Sequence, residues 1–89
     1  MTEEEAINLL KREGFVNNIT AFSFGPNEIN DPHSHETTSL RIVAKGQVLV
    51  TDEDGTRSYE EGEKIYCPPG SKHISHCGPA GCKFVIGEK

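Results

Sequence analysis

The stretch that decides the fold is Asp31-Pro-His33-Ser-His35-Glu-Thr-Thr-Ser39-Leu-Arg41-Ile-Val-Ala-Lys-Gly46. It begins with two histidines two residues apart and continues as a β-prone run. Because side chains two residues apart on a strand point to the same face, we expect His33 and His35 to project side by side. Counting on by twos places Ser39 and Arg41 on that face as well. The stretch therefore predicts a strand with two imidazoles on one face.

A third histidine, His73, lies far along the chain, after the turn Pro68-Pro69-Gly70. Neither proline can donate a ladder hydrogen bond, so the chain must turn here. A scaffold that returns His73 to the first pair would bring three imidazoles together. The fourth histidine, His76, is out of phase with His73, and we expect it to be a surface residue.

The N-terminal residues predict a short helix. Thr2 and Glu5 fit a capping box, and the acidic first turn suits the positive end of a helix. Gly14 suits the position after the last turn. We expect this helix, residues 1–14, to pack on the outside of the domain.

The rest of the chain, residues 15–89, predicts short strands. Asp52-Glu-Asp-Gly55 is a strong hairpin signal, and Gly46 is expected to make a tight turn between strands at Thr37–Ala44 and Gln47–Thr51. About eight strands with a turn roughly every 6–12 residues are typical of a sandwich or barrel. The fold class predicted is all-β with one short N-terminal helix.

Composition narrows the function. The chain has 89 residues, so it forms at most one domain. Its net charge is −5 and its nine Lys and Arg are scattered, which excludes a nucleic-acid surface. No apolar run approaches the roughly 18 residues that span a membrane. The acidic N-terminus carries no apolar signal core, and we expect a cytoplasmic protein.

Three cysteines, Cys67, Cys77 and Cys82, do not make a complete disulfide set, and we expect reduced thiols. Cys67 and Cys82 are expected to be small buried residues. Cys77 is in phase with His73, which leaves two alternatives. It is inert, or it is a thiolate that completes a closed tetrahedral zinc site with three histidines.

The chain resembles the cupin superfamily of small, RmlC-like β-barrels or jelly rolls (double-stranded β-helices). The first cupin motif is G-x5-H-x-H-x3,4-E-x6-G. Here His33-x-His35, three residues, Ser39, six residues and Gly46 fit its second half. The second motif is G-x5-P-x-G-x2-H-x3-N. It is matched from Gly62 through Pro68, Gly70 and His73, with Cys77 in place of the Asn.

This resemblance implies one divalent metal ion, held inside the barrel by His33, His35 and His73. The ion could be Fe, Mn, Ni, Cu or Zn, because imidazole binds all of them. The usual carboxylate ligand of the family is absent, since Ser39 occupies its place. Glu36 is the nearest carboxylate, but it is out of phase with the histidines.

The three-His cupins that the chain resembles include iron-dependent thiol dioxygenases and diketone-cleaving dioxygenases. The resemblance therefore implies an oxidoreductase of this kind acting on a small anionic substrate. Arg41 is more often a solvated residue at a barrel rim, but pointing inward it could pair with a substrate carboxylate. The alternative is a non-catalytic ligand-binding or sensory module whose metal is structural or absent.

A homodimer is expected from the lean core and from Leu40, Ile42 and Ala44. These three lie on the face opposite Arg41, and an apolar outer face is often covered by another strand or by a second subunit.

Overall fold

The computed structural model describes residues 1–33 and 36–89, with only the backbone described for residues 30–33. The described elements are one helix and six strands: α1 (Glu3–Arg12), β1 (Asn17–Phe24), β2 (Ile29–His33), β3 (Ser39–Asp52), β4 (Gly55–Glu60), β5 (Lys64–Cys67) and β6 (His73–Glu88). All strand pairs are antiparallel. The prediction of an all-β fold with one short N-terminal helix is confirmed.

The two long strands, β3 and β6, run beside each other at the centre of the sheet, whose order is β1-β6-β3-β4. β2 adds to β6, and β5 adds to β3. Each long strand therefore contributes to both ends of the barrel. The Asp52–Gly55 hairpin joins β3 to β4 as the sequence predicts.

The prediction of about eight short strands was wrong for the described residues, because the strands predicted on either side of Gly46 form one continuous strand, β3, and residues His73–Glu88 form another, β6. Gly46 does not make a tight turn; it lies inside β3 at a φ of 76°, facing Gly81 of β6 at a φ of 82°. A Cβ at Gly46 would collide with the Gly81 carbonyl oxygen. The two glycines let the strands pass closely where the β3–β6 register shifts, so both strands bend without ending.

The apolar side chains form two clusters on opposite faces of the sheet. The inner cluster centres on Phe84, Val43 and Val48 and extends to Ile65. The outer cluster includes Leu40, Ile42, Ala44 and Val85, and Ala6 and Leu10 of α1 cover it. Burial of this helix face against the strands provides the hydrophobic stabilisation of the N-terminal segment.

Helix α1 begins with the expected capping box. The Thr2 hydroxyl accepts from the Glu5 amide at 3.1 Å, and the Glu5 carboxylate accepts from the Thr2 amide at 3.0 Å. This helix packs against the cluster that contains Ile42, which is fully buried within the single chain. Ile42 therefore gives no support to a homodimer, which stays a prediction.

Within the described residues, no helix has the length and the apolar character that crossing a bilayer requires.

Candidate functional site

Two of the three predicted metal ligands lie at paired backbone positions. The register of β2 and β6 sets His33 directly opposite His73. Two further backbone hydrogen bonds hold the chain to β6 just before β2 begins. The Cys77 amide donates to the Glu28 carbonyl, and the Asn27 amide donates to the Gly78 carbonyl. The distant segments that carry the two motifs therefore meet on adjacent strands.

The prediction that His33 begins the same strand as Ser39 was wrong. β2 ends at His33, the chain bends at Glu36 and Thr37, and a new strand begins at Ser39. The reason is that β2 pairs with β6, whereas the start of β3 pairs with both β5 and the end of β6. A count by twos from His33 to Ser39 thus crosses a break between strands.

His73 is buried, with 8% of its surface exposed. Its Nε2 atom lies 3.9 Å from the Cys67 Sγ atom. His35 lies outside the described residues, as does the side chain of His33. Among the side chains that are described, no three His, Cys, Asp or Glu groups converge as a metal site. The three-His site therefore stays a prediction.

Cys77 is not available as a thiolate ligand. It forms a disulfide with Cys82, with the two Cα atoms 5.5 Å apart, and both residues are buried in the inner cluster. A separation of five residues would place them on opposite faces of a regular strand, but the irregular register beside Gly81 brings both inward. The expectations of reduced thiols and of a fourth thiolate ligand were wrong for this pair. Cys67 is free and buried as predicted.

The unexpected feature of the interior is Arg41. Only 3% of its surface is exposed, so its interpretation as a solvated rim residue was wrong. Its Nη1 donates to the Ser75 hydroxyl at 3.0 Å, and its guanidinium carbon lies 5.3 Å from the centre of the Phe84 ring. Its Nε is buried and has no hydrogen-bond partner. No ion pair joins Arg41 to a carboxylate among the described residues.

A thiol and a hydroxyl lie beside this cation. Ser39 is buried and pairs across the sheet with Cys67. Burial lowers the pKa of Arg41, and the charge of the Cys67 thiolate form opposes that change. Burial also raises the pKa of Cys67, while Arg41 and a hydrogen bond from Ser39 oppose it. The group that would balance the charge of Arg41 is therefore not supplied by a carboxylate of the described chain.

A pocket of about 200 Å³ opens next to Arg41 and Ser39. Its walls include the apolar residues Phe22 and Ile86 and the polar residues Asn18, Thr20 and Glu88. A second pocket of about 260 Å³ is lined by Cys67 and His73. The Arg41 guanidinium donates to Ser75, which is two residues from His73 on β6. This hydrogen bond therefore lies between the Arg41 pocket and the pocket lined by His73.

Sequence reasoning missed Ser75 and Phe22 as site residues. The signal for Ser75 was its phase, because it lies two residues from His73 on a predicted strand. No comparable signal marked Phe22, since its place beside Arg41 depends on the pairing of β1 with the far end of β6.

Solved structures with the same fold come from several bacteria. An RmlC-like cupin from Shewanella frigidimarina has a TM-score of 0.71 at 18% identity, covering 79% of this chain and 62% of that chain. KdgF from Halomonas sp. has a TM-score of 0.68 at 19% identity, covering 79% and 66%. At these identities the likeness shows the fold alone.

The polyketide cyclase RemF from Streptomyces resistomycificus is 31% identical over 79% of this chain and 52% of its own length, with a TM-score of 0.69. The chain thus spans between about half and two thirds of the length of these structures. No curated protein is significantly similar to it in sequence.

The cupin domain family model matches residues 21–85. These residues contain both histidine motifs, the His33–His73 pairing and Arg41 itself. Together with the shared architecture, this match shows that the chain belongs to the cupin family.

Proposed function

We propose that this cupin binds one divalent metal ion through His33, His35 and His73, and that it acts on a small anionic substrate at that ion. The observation that carries the proposal is the backbone pairing of His33 with His73. Residues directly opposite each other in an antiparallel pair present their side chains to the same face, about 4.5–5.5 Å apart at Cβ. That separation is the one that two imidazoles need to share an ion.

The described residues fit such an ion. His73 is nearly buried, and its Nε2 atom faces the interior beside Cys67. Ser39 stands in the place of the family carboxylate, so the donor set of three imidazoles is neutral. An ion held by neutral ligands would keep its full double positive charge and would attract an anionic substrate strongly. Bound there, it would also supply the chemistry for reaction with O2. The chain contributes Val50 and Ile65 as the apolar part of the wall around that position, and polar residues such as Asp52 and Lys72 line the rest.

The leading reaction class is that of a non-haem iron dioxygenase of the three-His type. The test begins with untagged protein purified without chelator, in which bound metal is measured by mass spectrometry. We expect about one equivalent in the wild type and in His76→Ala, and a loss in each of His33→Ala, His35→Ala and His73→Ala. The iron form is then assayed for O2 uptake with thiols and with β-dicarbonyls. Unchanged metal content in the three variants would refute the metal site.

The second candidate function is a non-catalytic ligand-binding module. The observation that favours it is the absence of the family carboxylate at Ser39, together with a pocket at Arg41 that can hold a ligand without a metal. Saturable ligand binding without O2 uptake or ligand turnover in the metal-loaded protein would establish this function and exclude the dioxygenase.

A cytoplasmic location and a homodimer stay predictions. The Cys77–Cys82 disulfide weighs against the first, because disulfides persist mainly in oxidising compartments. Acid quenching of cells followed by denaturation and alkylation tests it, since a reduced protein then takes three labels and an oxidised one takes a single label at Cys67. Light scattering of the purified protein tests the second.

A further inference from the structure

The buried guanidinium of Arg41 has donors that the described protein does not use. Arginine carries five N–H donors in a fixed fork. One nitrogen binds Ser75, while the buried Nε has no partner. Phe84 and Ser75 stabilise the cation in part, but neither carries a negative charge. A buried cation without an anionic partner is strongly unfavourable, and this arrangement calls for an anion from outside the chain.

The geometry points to a binding site for a small monocarboxylate, held by Arg41 with the Ser39 hydroxyl beside it, in the pocket between β1 and β3. This inference names the substrate class for the barrel interior and in that respect rests on the proposed function. A guanidinium fork matches the two oxygens of a carboxylate, which gives orientation as well as affinity.

The pocket selects for size, and part of its wall is apolar. Its volume of about 200 Å³ is below the range of roughly 300–1,000 Å³ of sites for drug-sized ligands. Phe22 and Ile86 offer an apolar surface to the body of the acid. A short acid fits this volume, whereas an extended ligand does not.

Charge selects a monoanion over phosphate. Glu88 lines the pocket, and its carboxylate accepts from the Asn18 side-chain amide at 2.7 Å. A phosphate dianion would face this carboxylate with a single guanidinium and neutral hydroxyls to balance it. A monocarboxylate needs only the one cation.

The position of Ser75 connects this pocket to the predicted metal site. Ser75 and His73 are both buried and lie two residues apart on β6, so they share a face. Arg41 binds Ser75 from the pocket side. An acid held at Arg41 is therefore connected to the His73 side of the interior only through the Arg41–Ser75 hydrogen bond, while its body stays in the pocket.

The test uses propionate as the probe and a tryptophan reporter. The chain has no tryptophan, so Phe22→Trp places a single fluorophore in the pocket wall. We expect saturable fluorescence changes with propionate, and no saturable change with chloride or inorganic phosphate at equal ionic strength. In the same background, Arg41→Met should weaken propionate binding at least tenfold, and Ser39→Ala should weaken it by a few fold. Arg57→Met, at an exposed site on β4, should leave it unchanged.

Thermal shifts of the unlabelled protein provide an independent measurement. Propionate should raise the melting temperature of the wild type and of Arg57→Met, but not that of Arg41→Met. Equal propionate binding in wild type and Arg41→Met, no saturable binding to the wild type, or tighter binding of phosphate would overturn the inference. His73→Ala separates the two proposals, because carboxylate binding should survive in that variant even where metal is lost.

Discussion

Arg41 of β3 donates from Nη1 to the Ser75 hydroxyl of β6 at 3.0 Å, deep inside the barrel. The bond joins the two long central strands on the face that also carries His73. A neutral hydroxyl is a weak counterpart for a buried guanidinium, so this contact positions the cation without neutralising it. In the absence of a bound anion the arrangement costs stability.

We therefore expect the double variant Arg41→Met with Ser75→Ala to be more stable than the wild type in anion-poor buffer, by about 1–3 kcal/mol. Replacing a buried charge by an apolar side chain of similar length is often stabilising, and Met retains the packing on Phe84. Removing the Ser75 hydroxyl avoids leaving that group unpaired. Urea denaturation gives the free energy of unfolding of both proteins.

The matched control is Arg41→Lys with Ser75→Ala, which keeps the charge and should be no more stable than the wild type. Strong destabilisation of the Arg41→Met, Ser75→Ala variant would show that the chain itself stabilises the buried charge of Arg41.

The crossing of β3 and β6 at Gly46 and Gly81 predicts a position-specific cost. Gly46→Ala should destabilise the protein by more than about 3 kcal/mol. The added Cβ would collide with the Gly81 carbonyl oxygen, and alanine would also be strained at the positive φ of this position. Gly62 also has a positive φ, of 88°, but it faces open space. Gly62→Ala should therefore cost only about 1 kcal/mol. Similar melting temperatures for the two variants would contradict the close approach.

The end of helix α1 is tied to β5 through Glu13. Its carboxylate accepts from the Tyr66 hydroxyl at 2.9 Å and lies 2.7 Å from the Lys64 ammonium. The hydrogen bond from Lys64, and then that from Tyr66, lowers the pKa of Glu13. The same contact with Glu13 raises the pKa of Tyr66.

The sign of the linkage follows from these directions. The Glu13 contribution is present above the ordinary carboxyl pKa and is lost as pH falls through the lowered pKa of the folded state. The Tyr66 contribution is present below the ordinary phenol pKa and is lost as pH rises through the raised one. In Glu13→Gln, the pKa of Tyr66 should fall toward its ordinary value. Phenolate absorbance in a Tyr59→Phe background measures this, and a Tyr66 titration identical to that of the parent would refute the contact.

Local signals predicted the elements whose cause is local. The Thr2 and Glu5 cap and the Asp52–Gly55 hairpin are where the sequence placed them. The in-strand phase also held within β3, since Ser39 and Arg41 are both buried and both lie beside the same pocket.

What the sequence could not predict depends on pairing between distant segments. The break after His33 exists because β2 pairs with β6 and not with β3, and no local residue marks that choice. The continuity of β3 through Gly46 depends on where Gly81 lies. Arg41 is buried although a solvated position is the usual one for a charge, because the strand that carries it is central.

The proposed metal site makes a prediction about stability that separates ligation from packing. Imidazole binds a metal only when neutral, and an ion that binds the folded state alone stabilises it by mass action. His73→Ala should therefore lower the melting temperature of the metal-loaded protein much more than that of the metal-free protein. The same ligation should make the metal-dependent stabilisation of the wild type disappear as pH falls below about 6, where imidazole becomes protonated. His76→Ala should keep the wild-type response to metal. An equal drop for His73→Ala with and without metal would mean that His73 serves the packing around Cys67 and binds no ion.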